Sequence, residues 1–160
     1  MDKIIFLDID GVLNCVTDNI PSEYLHDLQK IAQTGINDRC ASVLNNIIKK
    51  TNAKIVISSS WRTYFSLDEL KEIFKYKNIK ATILGITPSR FSNYDRGQEI
   101  RWWLEDHYVK SYVIIDDTYY HGFKKPELNE RFLYIEDGDG LRYRHIKPII
   151  NILNNPLGIN

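Results

Sequence analysis

The chain has 160 residues, enough for one ordinary domain that buries its own core without metal or disulfide staples. Apolar residues make up 43% and aromatics 12%, which excludes a disordered tail, and 21 basic residues against 21 acidic ones leave no general basic excess for binding nucleic acid, a local basic face aside. Two cysteines, Cys15 and Cys40, are too few for a disulfide framework and show no metal-binding spacing, so both read as buried or half-buried free thiols.

Residues 3–7 form a short apolar run with no basic region before it and no small-residue cleavage site after it, so it reads as a strand and not a signal. No stretch approaches the roughly 18 consecutive apolar residues of a membrane helix. The expectation is a cytoplasmic protein with no membrane partner and no obligate protein partner.

Residues 15–39 contain Asn19-Ile20-Pro21-Ser22 and Thr34-Gly35-Ile36-Asn37-Asp38, with a short helix expected over 22–32. That length exceeds an ordinary strand-to-helix loop and suggests a flap or small cap above the first strand. Residues 40–50 place Val43, Leu44, Ile47 and Ile48 at helical spacing. A second strand follows at 54–57, then a helix at 67–74 carrying Leu70, Ile73 and Phe74.

A weaker strand is expected at 80–84. Residues 98–108 set Ile100, Trp103, Leu104 and Tyr108 on one side of a helix. Strands at 112–115 and 131–135 and a helix at 144–153 complete the chain. Strands alternating with helices predict a single α/β domain over residues 1–160, with a mostly parallel, Rossmann-like sheet flanked by helices.

In such sheets ligands bind beyond the carboxyl ends of the strands. Three places qualify: Asp8, Asp10 and Gly11 after the first strand; Ser58, Ser59, Ser60, Trp61 and Arg62 after the second; and Asp116 with Asp117 after the strand at 112–115. One Asp after a strand is usually a turn or a helix cap. Two pairs facing one crevice concentrate up to four negative charges, which only a cation makes tolerable, and all-oxygen ligands with open positions fit Mg²⁺.

Phe6-Leu7-Asp8-Ile9-Asp10-Gly11-Val12-Leu13-Asn14 resembles the first motif of the haloacid dehalogenase (HAD) superfamily of phosphatases. The order of Asp-x-Asp-Gly, strand-Ser, a basic residue and strand-Asp-Asp extends the resemblance over residues 3–118. It implies the HAD fold with a small or minimal cap. It also implies an aspartyl-phosphate route in which Asp8 is the nucleophile and Asp10 protonates the leaving alcohol and then activates water. Asp in place of Thr at position 10 favours a phosphatase over the ATPase branch. Asp8, Asp117 and the Asp10 carbonyl would hold Mg²⁺, with Asp116 beside them.

The resemblance further implies a phosphate-binding serine, for which Ser58 is the better match and Ser59 the alternative. It also implies a cation that neutralises the phosphoryl oxygens. Arg96, about 20 residues before Asp116 at the start of an expected helix, fills that place, with Lys124 or Arg90 as replacements. Family members often carry Lys-Pro there, and this chain does not.

Ile57-Ser58-Ser59-Ser60-Trp61-Arg62, Gly85-Ile86-Thr87-Pro88, Arg96-Gly97-Gln98-Glu99-Ile100, Trp103-Leu104 and Ile115-Asp116-Asp117 together resemble the HAD domains of Swiss army knife RNA-repair proteins. That subgroup is inferred to remove terminal phosphates from polynucleotides, so the implied partner is a single-stranded RNA or DNA end and the chain is the phosphatase module standing alone.

Trp61 and Arg62 are expected to stack on and neutralise a nucleotide; the plainer alternative is that Trp61 packs the turn and Arg62 pairs with a carboxylate. Of Trp102 and Trp103, one is expected in the core and the other partly exposed. Tyr119, Tyr120 and His121 are pocket-wall candidates. Two rival readings are a small-molecule phosphatase and a phosphate-binding module without turnover. A receiver domain fits poorly, because its phosphoacceptor Asp follows a later strand, where this chain has serines.

Overall fold

A computed structural model describes residues 1–89, 95–136 and 138–158. The first apolar run becomes strand β1 (Asp2–Leu7), in which Ile4, Ile5, Phe6 and Leu7 are wholly buried. A strand buried on both faces needs cover on both faces. The chain supplies it in order with α1 (Leu28–Gly35), α2 (Asp38–Thr51), β2 (Lys54–Ile57), α3 (Leu67–Tyr76), β3 (Ile83–Ile86), α4 (Arg96–Glu105), β4 (Val109–Asp116), α5 (Pro126–Asn129), β5 (Phe132–Tyr134) and α6 (Ile146–Asn154).

The five strands form one parallel sheet in the order β3-β2-β1-β4-β5. The chain builds outward from β1 through β2 to β3, then crosses to the other side of β1 for β4 and β5. That reversal makes the carboxyl ends of β1 and β4 a switch point, where the diverging connections leave a crevice.

Alternation along the strands decides what faces that crevice. Ile5 and Leu7 pack with Ile55, Ile57, Val113 and Ile115 against α1, α2, α3 and α6. Ile4 and Phe6 pack with Val56, Tyr112 and Ile114 against Ile100 and Trp103 of α4 and Leu128 of α5. Trp103 meets the Phe6 ring edge-on, with centroids 5.3 Å apart, while Trp102 is half-buried. The two-residue period then carries Asp8, Ser58 and Asp116 to the α4 side. The ladder continues past the strands, with Asp8 N donating to Ile115 O at 3.0 Å and Ser58 N to Leu7 O at 2.8 Å.

Caps set the helix boundaries that apolar spacing left open. The expected helix at 22–32 is instead a 3-10 turn at Ser22–Tyr24 followed by α1, because the Asp27 carboxylate accepts from Gln29 N and Lys30 N and starts a new helix there. Ile31 and Ala32 of α1 are wholly buried in the larger core, so the second half of the expected flap is part of the layer over the sheet. Asp95 caps α4, which ends at Glu105 and leaves Tyr108 92% exposed, outside the apolar face assigned to it.

The strand expected at 80–84 lies at Ile83–Ile86, since Lys80 N is tied to the Asn45 side chain at 2.8 Å. Cys40 is buried and Cys15 half-buried, both as free thiols. Among the described residues no helix is long and apolar enough to cross a membrane.

Candidate active site

Arg96, the first residue of α4, is delivered to the strand ends by two devices. The Asp95 side chain caps α4 through Gln98 N at 3.1 Å and accepts from Gly122 N at 2.5 Å in the loop after β4. Gly97 lies so close to that loop that an added Cβ would come within 2.6 Å of the Gly122 carbonyl carbon. The helix start is thus fastened to the segment that follows Asp116 and Asp117.

From there Arg96 Nη1 reaches Asp8 Oδ2 at 2.7 Å and Asp116 Oδ2 at 2.6 Å, with its guanidinium 4.9 Å from the centroid of the Tyr120 ring. Burial alone would lower the guanidinium pKa, but Asp8 and Asp116 more than offset it and keep Arg96 charged. Burial raises the pKa of Asp8, opposed by Arg96, by the Ile9 amide and by the Ser59 hydroxyl within hydrogen-bonding reach. Asp116 is pushed up to about 7 by burial and then by the charge of Asp8, against the pull of Arg96 and the Thr118 amide. One cation is therefore shared between two buried carboxylates that resist being ionised together.

Asp117 adds a third acidic group. Asp8, Asp116 and Asp117 each offer an oxygen within 4.8 Å of the others. Gly11 makes room for this approach: its φ is +72°, and a Cβ there would lie 2.0 Å from Asp117 Oδ2. Three carboxylates so close together are favoured by a bound cation, and the donor set is all oxygen. The group fits a hard divalent cation such as Mg²⁺. The Asp10 carboxylate stands outside it; the expectation for Asp10 as a ligand concerned its carbonyl.

Asp10 is exposed and held at one oxygen. Its Oδ1 accepts from Trp61 Nε1 at 2.9 Å and from Asn14 Nδ2 at 3.0 Å. Asn14 also takes the Gly11 amide at 2.8 Å, so one side chain braces both the turn and the carboxylate. Asn14 lies inside the first motif, but its sequence position gave no hint of this role.

After β2, the Ser59 hydroxyl favours the charged form of Asp8 and accepts from Trp61 N at 3.3 Å. Ser58 had been the better sequence match; its Oγ is buried and has no hydrogen-bond partner among the described residues. Trp61 is 5% exposed and turned to Asp10 and Phe65, which leaves little ring surface for stacking on a nucleotide.

Arg62 differs from its expected nucleotide-neutralising role as well. Its side chain is 8% exposed and forms an ion pair with Glu99 of α4, which is 1% exposed; it also donates to Ser59 O at 3.2 Å and Thr87 Oγ1 at 3.1 Å. A carboxylate buried that deeply requires a cation, and Arg62 supplies one. Of the remaining candidates, Tyr120 lies under Arg96, Tyr119 is 45% exposed, His121 and Lys124 are on the surface, and Arg90 lies outside the described residues.

A parallel α/β sheet whose switch point gathers an Asp-x-Asp-Gly turn, an acidic pair and an arginine defines a class of phosphate-handling domains. The particular family follows from the sequence match. Residues 4–146 match the model described as HAD domain in Swiss Army Knife RNA repair proteins, and the chain belongs to that family. No curated protein matches it. A chain of the solved Pnkp1/Rnl/Hen1 complex is similar with a TM-score of 0.54 and 18% identity, over 87% of this chain and 47% of that one. That likeness carries the fold alone, and this chain spans about half the length of the other.

Proposed function

We propose that the chain is a Mg²⁺-dependent phosphomonoesterase that removes terminal phosphates from nucleic acid through an aspartyl-phosphate on Asp8. The observation that carries this is the placement of Asp8 against Arg96, with Asp116 and Asp117 offering oxygens close to its own. Membership of an RNA-repair HAD family supports the nucleic-acid substrate.

An Asp8 oxygen attacks phosphorus, the bond from phosphorus to the leaving oxygen breaks, and Asp10 gives that oxygen its proton. Asp10 then takes a proton from water, whose oxygen attacks phosphorus and breaks the bond to Asp8, releasing inorganic phosphate. Arg96 balances charge on the phosphoryl oxygens as the old bond loosens. Ser59, whose hydroxyl favours the charged form of Asp8, takes the phosphate-binding role, with Ser58 beside it in sequence. A Mg²⁺ ion held by Asp8, Asp117 and the Asp10 carbonyl, with Asp116 alongside, would supply Lewis-acid charge to the phosphoryl group. Trp61 and Asn14 orient Asp10.

The test is phosphate release from 3′- and 5′-phosphorylated oligonucleotides beside free nucleotides and sugar phosphates, with Mg²⁺, with Ca²⁺ and after chelation. Release from oligonucleotides that needs Mg²⁺ and is poorly supported by Ca²⁺ is expected. Full activity after thorough chelation refutes the metal-dependent reading, and equal specificity constants for oligonucleotide and sugar phosphate replace the nucleic-acid substrate by a small one.

A further inference from the structure

Beside Asp10, the side chains of Ile20, Leu25, Trp61, Tyr64 and Phe65 line with it a hollow of about 360 Å³. This size lies at the small end of the range for ligand sites, roughly 300–1,000 Å³. Its walls come from two separate segments. Ile20 and Leu25 belong to the stretch over the first strand, and Trp61, Tyr64 and Phe65 belong to the turn after β2. Trp61 and Phe65 are themselves packed, with centroids 5.5 Å apart.

Leu25 is 50% exposed and Tyr64 78% exposed at the rim. Large apolar side chains left in water around a concave surface mark a place where something is meant to cover them. We propose that this hollow seats the base of the terminal nucleoside, the one whose hydroxyl leaves the phosphate, with Tyr64 and Leu25 closing on its faces. This deepens the phosphatase reading and rests on it.

Three observations choose that occupant. Asp10 lies in the wall, and a group that protonates the leaving oxygen has the leaving group next to it. Only the moiety attached to that oxygen can reach the hollow while its phosphate sits at Asp8. The lining is aromatic and aliphatic with a carboxylate as its charge, so it attracts a flat uncharged ring and repels a second phosphate. An internucleotide phosphate therefore lies outside, and the polymer leaves from the rim. The small volume suits one base and excludes a stacked pair. Exposed Tyr64, unlike buried Trp61, has a ring face to offer.

The test compares kcat/KM on a nucleoside monophosphate and on glycerol phosphate. For Tyr64→Ala the ratio of the two is expected to fall by roughly tenfold, and Leu25→Ala should lower it in the same direction. Tyr108→Ala, on a distant exposed tyrosine, should leave the ratio as in the parent protein.

A second readout needs no turnover. Unphosphorylated adenosine, titrated into ¹⁵N-labelled protein, should shift the Trp61 indole resonance, assigned by its loss in Trp61→Phe, and this shift should vanish in Tyr64→Ala. Unchanged ratios in both rim variants, or no indole shift with adenosine, overturns the hollow as a base site. If the parent protein hydrolyses no phosphomonoester, the functional reading fails, and the adenosine titration still decides the hollow by itself.

Discussion

Two buried arginines lie near the strand ends, Arg96 against Asp8 and Arg62 against Glu99, and their surroundings give them different work. Arg96 carries one positive charge between two carboxylates, Asp8 and Asp116, with a third, Asp117, nearby. Arg62 faces Glu99 through Nη2 and donates through Nη1 to Ser59 O and Thr87 Oγ1. Arg96 is thus shared by two carboxylates beside an all-oxygen donor set that a cation would complete, and the centre is chemically unfinished. The Arg62 region is balanced, and what it does is tie the turn after β2 to β3 and α4. Burial and an ion pair are common to both; the count of carboxylates per cation separates a reacting centre from a clamp.

The largest expected effect lies at the unfinished centre. Asp8→Asn removes the nucleophile and should lower phosphate release by about a thousandfold or more, with the fold intact by circular dichroism. Arg96→Ala comes next: losing one partner of a buried pair costs about 3–5 kcal/mol of stability, and the same change removes the charge that balances the phosphoryl group. Both a lower Tm and a collapse of kcat should follow. Arg96→Lys, which keeps the charge but loses the guanidinium fork, should recover stability more fully than rate. If Arg96→Ala melts lower yet keeps full kcat, Arg96 is a clamp like Arg62.

Arg62→Ala should cost stability on the same scale, about 3–5 kcal/mol, because it leaves Glu99 charged and buried. Replacing both partners, Arg62→Met with Glu99→Leu, should return much of that loss, since two apolar side chains need no counter-charge. The salt dependence of oligonucleotide turnover should stay as in the parent protein. A slope flattened by about one in Arg62→Ala would instead make Arg62 a phosphate contact.

The sequence made the Arg96 region legible and hid the Arg62 region. Asp8, Asp116 and Asp117 each follow an apolar run, so strand topology brings them together, and Arg96 could be placed by its distance from Asp116. The choice between Ser58 and Ser59 was open because it depends on where β2 hands over to the 3-10 turn at Ser60–Thr63, a matter of one residue. The Arg62–Glu99 pair joins residues 37 apart. No local pattern announces such a pair, and a surface-like Trp-Arg dipeptide reads naturally as a ligand contact. The break in the helix expected at 22–32 had a visible signal in Asp27, a capping residue that the single-helix reading ran through. The hollow beside Asp10 needs the fold of two loops at once and has no signature in either.

The smallest predicted effect concerns how Asp10 is held. Trp61→Phe keeps an aromatic wall and removes a single donor, the indole N–H that lies 2.9 Å from Asp10 Oδ1, while Asn14 continues to hold the same oxygen at 3.0 Å. A hydrogen bond to a charged group contributes about 1.5–3 kcal/mol, and the retained Asn14 contact should limit the loss to the lower end. For an alkyl phosphate, whose departing alkoxide needs a proton in the transition state, kcat should fall by roughly tenfold. An aryl phosphate leaves as a stable phenolate and should feel the change by no more than about twofold. That contrast belongs to proton delivery alone, because a general loosening of the turn after β2 would disturb Ser59 and slow both substrates alike. Equal losses on the two would assign Trp61 to packing and leave the orientation of Asp10 to Asn14.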